Sequence, residues 1–206
     1  MFITFEGPEG CGKSTHAKRL KTYLEGKGLA ALLTQEPGGT QVGKEIRQFL
    51  LKPENVLDDA TEVYLFAADR SEHVSKIIQP ALADHKAVIS DRFIDSTIAY
   101  QIGGRGLPED LVRYINMVSS KGLLPDLTLL LDVSPETGLQ RAAQKGLADR
   151  IEKETLAFHQ RVRAKYLEIA RYEPGRVKLI NTEHREIDEI QAEIRRLVDE
   201  KLGNQG

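Results

Sequence analysis

Eight consecutive residues, Gly7-Pro8-Glu9-Gly10-Cys11-Gly12-Lys13-Ser14, match the pattern G-x-x-x-x-G-K-[S/T]. In such a segment the glycines let the backbone curl until several N–H groups converge on one anion at a helix start. The Lys13 ammonium would reach the outer phosphates of a nucleoside triphosphate, and the Ser14 hydroxyl is an oxygen ligand suited to Mg²⁺. With Thr15, these residues are the expected triphosphate-binding set. Cys11 stands at a variable position and reads as a small filler rather than a reactive thiol.

Ala87-Val88-Ile89-Ser90-Asp91 is an apolar run ending in a carboxylate, and Arg92 follows it. An Asp at the carboxyl end of a strand beside a phosphate loop is placed to organise the metal, so Ser14 and Asp91 are the expected metal residues. Further cations are spread along the chain: Arg47 and Arg70, then Arg141, Lys145 and Arg150. A guanidinium grips a phosphate through two parallel hydrogen bonds. Surplus cations of this kind suit a small kinase, which must hold a second phosphate-bearing molecule against the triphosphate. No Asn-Lys-x-Asp guanine reader occurs, which argues against a GTPase. Two alternatives stay open on the residues alone: a kinase for another monophosphate (UMP, CMP or AMP), and a nucleotide-binding switch without acceptor turnover.

The elements that must position these groups follow from patterning. Apolar runs of strand length lie at 2–5, 29–33, 87–89, 127–131 and 177–180. Most are continuous rather than alternating, as strands buried on both faces are. Helical patterns occupy about 14–26, 41–51, 61–83, 94–101, 108–120, 136–146, 152–172 and 186–202. Strand alternating with helix predicts an α/β fold: a doubly wound, five-stranded parallel sheet with helices on both faces. A single domain is expected over 1–206. It would carry a helical insert at about 36–83, long enough to form a side lobe and bind the acceptor, and a charged lid segment at about 141–152.

Composition narrows the classes. The 206 residues are 40% hydrophobic and 29% charged, which excludes intrinsic disorder. Lys+Arg 29 against Asp+Glu 31 gives a net charge of -2, so no overall basic field points to nucleic acid or an anionic membrane. No apolar run approaches the roughly 18 residues of a membrane helix. The opening MFITFEG lacks the basic start of a signal peptide, and the lone cysteine fits a reducing compartment. A cytoplasmic location, with neither nucleic acid nor membrane as partner, is expected.

Longer blocks then carry a resemblance. Phe5-Glu6-Gly7-Pro8-Glu9-Gly10, Gln35-Glu36-Pro37-Gly38-Gly39-Thr40, Asp91-Arg92-Phe93, Ser96-Thr97-Ile98-Ala99-Tyr100-Gln101, Pro125-Asp126-Leu127-Thr128 and Asp149-Arg150-Ile151-Glu152 occur in this order. The chain resembles the bacterial thymidylate kinases from its first strand to about Asn181, which implies a fold of the P-loop NTPase, nucleoside monophosphate kinase-like type. The resemblance implies Mg²⁺-dependent transfer of the γ-phosphoryl group of ATP to dTMP, giving dTDP and ADP, in a homodimer. It implies that Phe66 stacks on thymine, that Arg70 hydrogen-bonds the base edge, and that Arg47 and Arg92 bind the acceptor phosphate. Glu9 would lie near the deoxyribose hydroxyl, and Tyr100 would crowd the sugar 2′ position. Pro37, Thr97 and Gln101 complete the implied dTMP set. Lys13, Asp91, Arg92 and one of the lid cations Arg141, Lys145 or Arg150 would serve the transfer itself. Taken singly, Phe66 could be core, Arg70 and Arg47 surface charges, and Tyr100 a packed tyrosine. The loop Asn181-Thr182-Glu183-His184, after the last strand run, is the expected neighbourhood of the adenine.

Overall fold

The computed structural model describes residues 1–144, 146 and 148–203. Five strands, β1 (Phe2–Glu6), β2 (Ala31–Gln35), β3 (Ala87–Asp91), β4 (Leu127–Asp132) and β5 (Val177–Asn181), form one sheet in the order β2-β3-β1-β4-β5. Every pairing is parallel. The helices are α1 (Lys13–Gly26), α2 (Gln41–Leu51), α3 (Asp59–His73), α4 (Gln79–Ala83), α5 (Ile94–Thr97), α6 (Glu109–Ser120), α7 (Pro135–Ala143), α8 (Leu156–Tyr172) and α9 (Ile187–Gly203). This is the expected doubly wound α/β architecture. Each strand ends in a polar residue (Glu6, Gln35, Asp91, Asp132, Asn181), so the carboxyl edge of the sheet is a row of hydrogen-bonding groups.

Strand alternation explains the core. Ile3 and Phe5 of β1, with Leu129 and Leu131 of β4, pack against Leu20 and Leu24 of α1 and Ile190, Ile194 and Val198 of α9. The opposite face holds Phe2, Val88 and Phe93 with Val74 and Ile78, and beside them Tyr100, Leu130, Phe158, Val162 and Tyr166. That second face also buries polar groups. Thr4 and Thr128 are fully buried and share a hydrogen bond of 2.8 Å between their hydroxyls. Arg176 reaches in to grip Asp95 through both carboxylate oxygens, at 2.7 and 2.8 Å, and donates to Thr128 at 2.8 Å.

Several boundaries differ from the patterning: α8, expected from about 152, begins at Leu156, α7, expected to reach about 146, ends at Ala143, and three others have a clear local cause. The second strand starts at Ala31 rather than 29, because Gly28 (φ +81) turns the chain and the Leu29 N–H still bonds the Leu24 carbonyl of α1. Residues 61–83 are not one α-helix: a π-helical turn, Val74–Ile78, joins α3 to α4. The expected helix at 94–101 is α5 followed by a second π-helical turn, Ile98–Gly104, closed by Arg105 N–H to the Tyr100 carbonyl at 2.9 Å. The stretch between β2 and β3 therefore does two things. Val74, Ile78 and Ala81 cover the sheet as an ordinary crossover does, while α2 and α3 stand beside the carboxyl edge.

Breaking the Arg176–Asp95 pair leaves a carboxylate uncompensated at a site only 1% exposed. Arg176→Leu is expected to lower unfolding stability in urea by about 3 kcal/mol, without altering the far-ultraviolet spectrum of the folded state.

Candidate functional site

A cavity of about 440 Å³ opens at the carboxyl edge of the sheet, between the β1–α1 loop, α2, α3, the α5 region and the segment after α7. That volume is in the range of small-molecule sites. Its floor is the phosphate loop. Gly7, Gly10 and Gly12 have φ of +137, +68 and +100, and a Cβ on Gly10 would lie 1.9 Å from the Gly138 carbonyl oxygen. Only glycine fits. No side chain caps α1, whose start therefore keeps its N–H groups for an anion. Lys13 Nζ folds over the loop and donates to the carbonyls of Gly7 and Pro8 at 2.9 and 2.7 Å. Cys11 is buried, and desolvation raises its thiol pKa, as befits a filler. Gly12, Lys13 and Ser14 line the cavity along with Glu9 and Gly10; Gly7, Pro8, Cys11 and Thr15 do not.

At the end of β3, the Ser14 hydroxyl donates to Asp91 Oδ2. Among the described residues no group of three or more His, Cys, Asp or Glu could cage a metal. A hydroxyl beside one carboxylate is the donor set of a Mg²⁺ that takes its other ligands from phosphates and water, so these residues fit that ion.

Arg92 follows with φ +74, a conformation that costs a non-glycine residue about 1–3 kcal/mol. It is pinned by its own N–H to the Phe5 carbonyl at 2.9 Å and by the Ser90 hydroxyl on its carbonyl at 2.8 Å. This turn aims the guanidinium into the cavity. There Nη2 meets Glu9 Oε1 at 2.5 Å and Tyr100 OH at 3.2 Å, and Nη1 meets the Ser96 hydroxyl at 3.2 Å. Tyr100 in turn donates to Glu9 at 2.7 Å. The Arg92 and Lys13 charges overcome burial and hold the Glu9 carboxyl down at about 2.

Across the cavity, Phe66 and Arg70 stand one turn apart on α3. Arg70 is no surface charge: it is 2% exposed. Its Nε donates to Glu36 Oε2 at 2.8 Å, and Nη1 donates to Thr97 Oγ1 and Asn116 Oδ1 at 2.8 and 2.7 Å. Gln101 lies below, donating to Glu62 at 2.8 Å. Arg47 Nη1 donates to the Pro37 carbonyl at 2.9 Å, next to the cis Glu36–Pro37 bond.

The lid cations stand elsewhere. Arg150 lines no part of the cavity. Its Nε donates to the Leu50 carbonyl at 2.7 Å, and Nη2 is 2.5 Å from Glu62. Arg141 turns toward the Thr182 carbonyl, 3.4 Å away. Lys145 lies outside the described residues. The segment instead presents Asp149 and Glu152 to the cavity, joined in a reciprocal turn: Asp149 Oδ1 accepts from the Glu152 N–H at 2.9 Å, and Glu152 Oε2 from the Asp149 N–H at 3.1 Å. The Asn181–His184 loop is anchored by Glu183, which accepts from Ser134 and Thr137 at the start of α7. It does not line the cavity.

Comparison with known proteins agrees with this geometry. The family model described as "Thymidylate kinase" matches residues 5–194. A thymidylate kinase of Desulfosudis oleivorans is 49% identical over 88% of each chain. One of Symbiobacterium thermophilum is 45% identical over 98% of this chain and 94% of its own. The crystal structure of thymidylate kinase from Ehrlichia chaffeensis superposes with a TM-score of 0.79 at 36% identity, covering 97% of this chain and 98% of that one.

The chain belongs to the thymidylate kinase family.

In this family member, several residues that organise the cavity were not singled out from sequence. Glu36 lies within the Gln35–Thr40 block, and Asp149 and Glu152 have the D-x-x-E spacing of a reciprocal cap, so a signal existed for each. Glu6 likewise lies within the Phe5–Gly10 block, whereas Asn116 had no signal, since a polar residue in a helix is unremarkable. Glu6 sits behind Arg92. It accepts from the Phe93 N–H at 2.8 Å, the Ser96 hydroxyl and Tyr166 OH. Burial, reinforced by Asp95, raises its carboxyl from 4.5 to about 8.

The two glutamates act on stability with opposite signs. Glu9, lowered when folded, contributes stability that is present above its ordinary 4.5 and lost on acidification toward 2. Glu6, raised when folded, contributes stability that is complete below 4.5 and lost as pH rises through 8. The Glu6 contribution to unfolding stability should therefore decline between pH 5 and pH 8. Glu6→Gln, which mimics the protonated acid, should flatten that decline in urea titrations at several pH values; an equal decline in both proteins would refute the assignment.

Proposed function

We propose that the cavity joins ATP to dTMP and moves the γ-phosphoryl group between them, giving dTDP and ADP with Mg²⁺. The observation that supports this most is the meeting of two unlike anion sites in one cavity. One is built from backbone N–H groups and the Lys13 ammonium, the other from the guanidinium groups of Arg92 and Arg47, with Phe66 and Arg70 set back from both. A triphosphate on the first and a monophosphate on the second would meet end to end, its base against Phe66. The second reading, a nucleotide switch, gives no reason for that second set of guanidinium groups.

In the transfer, a bond forms from an acceptor phosphate oxygen to the γ-phosphorus while the β–γ bridging bond breaks and ADP leaves. The acceptor oxygen is already anionic, so alignment and charge neutralisation carry the reaction and no strong base is required. Lys13 would leave its two loop carbonyls for the phosphates. Arg92, braced by Glu9 and Tyr100, would hold the acceptor phosphate with Arg47. Ser14 and Asp91 would hold the Mg²⁺, which when bound neutralises phosphate charge. Glu9 and Tyr100 would face the deoxyribose, where a ribose 2′-hydroxyl meets the Tyr100 ring. Pro37, Thr97 and Gln101 would complete the acceptor pocket. One of the lid cations Arg141, Lys145 or Arg150 would serve the phosphoryl group, Arg150 only after it leaves Glu62 and the Leu50 carbonyl.

The decisive measurement is ADP formation with a panel of monophosphates. We expect kcat/KM for dTMP to exceed that for UMP, CMP or AMP by at least about a hundredfold, and a preference for another base would overturn the reading. Arg92→Ala should reduce kcat/KM for dTMP on the order of 10²–10³-fold.

We further infer a cytoplasmic homodimer. Tyr114, Met117 and Val118 of α6 and Tyr64 of α3 are each more than half exposed, an apolar surface that a second copy would cover. The free thiol suits a reducing cytoplasm, and no described helix is long and apolar enough to cross a membrane. Sedimentation should give twice 23.0 kDa for the parent chain and the single mass for Tyr114→Glu.

A further inference from the structure

The base end of the cavity holds an arrangement that reaches beyond the residues lining it. Arg70 has five N–H donors and no acceptor. Nε donates to Glu36 Oε2, Nη2 lies 2.8 Å from the same oxygen, and the two Nη1 hydrogens go to Thr97 Oγ1 and Asn116 Oδ1. Four of the five are thus assigned, and a single N–H on Nη2 remains. The guanidinium also lies over the Phe93 ring, 5.1 Å from its centroid. In-plane rotation is blocked by the hydrogen bonds and tilting by the ring.

Asn116 is the member of this set that lies outside the cavity lining. It is buried, on α6, and its Nδ2 donates to the Ile94 carbonyl at 3.0 Å. Chemistry fixes its orientation twice over. Ile94 offers only an acceptor, so the amide nitrogen must face it; Arg70 offers only donors, so the amide oxygen must face Arg70. Neither requirement can be met by the flipped amide.

We propose that Asn116 is a positioning residue for base selection: by locking Nη1 of Arg70 it leaves one fixed Nη2 N–H that donates to a carbonyl oxygen at the base edge and finds no acceptor on an exocyclic amine. This rests on the dTMP reading and sharpens it. The acceptor class is a pyrimidine monophosphate with a carbonyl at that edge. A cytosine amino group would set N–H against N–H in a buried place where neither finds another partner. Asn116 touches no substrate; it acts through Arg70.

The test compares kcat and KM for dTMP and dCMP in the parent, Asn116→Leu, Asn116→Ser and Asn116→Asp. Leucine cannot accept from Arg70, serine is too short to reach it, and aspartate keeps the acceptor. The expected result is a dTMP-to-dCMP ratio of kcat/KM lowered at least about tenfold in the leucine and serine proteins. The loss should come mainly from a raised KM for dTMP, with aspartate restoring the ratio. Should the leucine protein fail to fold, the serine protein carries the same comparison. Equal losses toward dTMP and dCMP, or a ratio unchanged in the serine protein, would overturn the positioning role alone. Absence of dTMP turnover in the parent would overturn the functional reading and this inference with it.

Discussion

A guanidinium can be taken out of water only where carboxylates or other acceptors meet its donors, and the buried Arg70 and half-buried Arg92 of the cavity set the terms for what surrounds them. Arg92 is held by Glu9 from the β1–α1 loop and by Tyr100 from the π-helical turn. Arg70 is held by Glu36 after β2, Thr97 on α5 and Asn116 on α6. Each arginine therefore ties together elements far apart in sequence. The parallel sheet makes this possible, because all its carboxyl ends open on one edge and deliver Glu6, Asp91 and the loops after β1 and β2 to a common place.

The polar seam on one sheet face extends the same logic inward. Arg176, Asp95, Thr128 and Thr4 satisfy one another beneath the site, and Glu6 joins Phe93, Ser96 and Tyr166 directly behind Arg92. A carboxyl raised toward 8 by burial lies within a few bonds of one lowered to about 2 by cations. Desolvation dominates the first and paired charge the second, although both stand at the end of the same strand or just beyond it. The left-handed Arg92 is where backbone, strain and charge converge, and hydrogen bonds on both sides of its peptide units hold it there.

Much of this was legible in the chain. The glycine spacing was readable as a loop motif, and the fold supplies the reason at Gly10, whose Cβ would lie 1.9 Å from the Gly138 carbonyl oxygen. Five short apolar runs implied strands buried on both faces; all five strands are present, but the edge strands β2 and β5 are only partly buried. Where the patterning slipped, local geometry was the cause. Hydropathy does not distinguish a π-helical turn from an α-helical one, and Leu29 looked like strand although the chain was still capping α1. The lid cations illustrate a different limit: three charges near one another in sequence promised a positive wall, yet Arg150 and Arg141 turn to carbonyls and Glu62 instead.

Residue types and their spacing thus indicated, unaided, the glycine-rich loop, the fold class and the set of candidate cations, because motif spacing and hydropathy periods are written along the chain itself. The folded chain decided which of those cations face the cavity, that Glu36 and Asn116 orient Arg70, and that Glu6 is buried behind Arg92 with its carboxyl pKa raised. Those outcomes depend on pairs separated by 34, 46 and 87 residues, and on burial that strengthens charge–charge contact. Neither quantity exists until the strands are side by side.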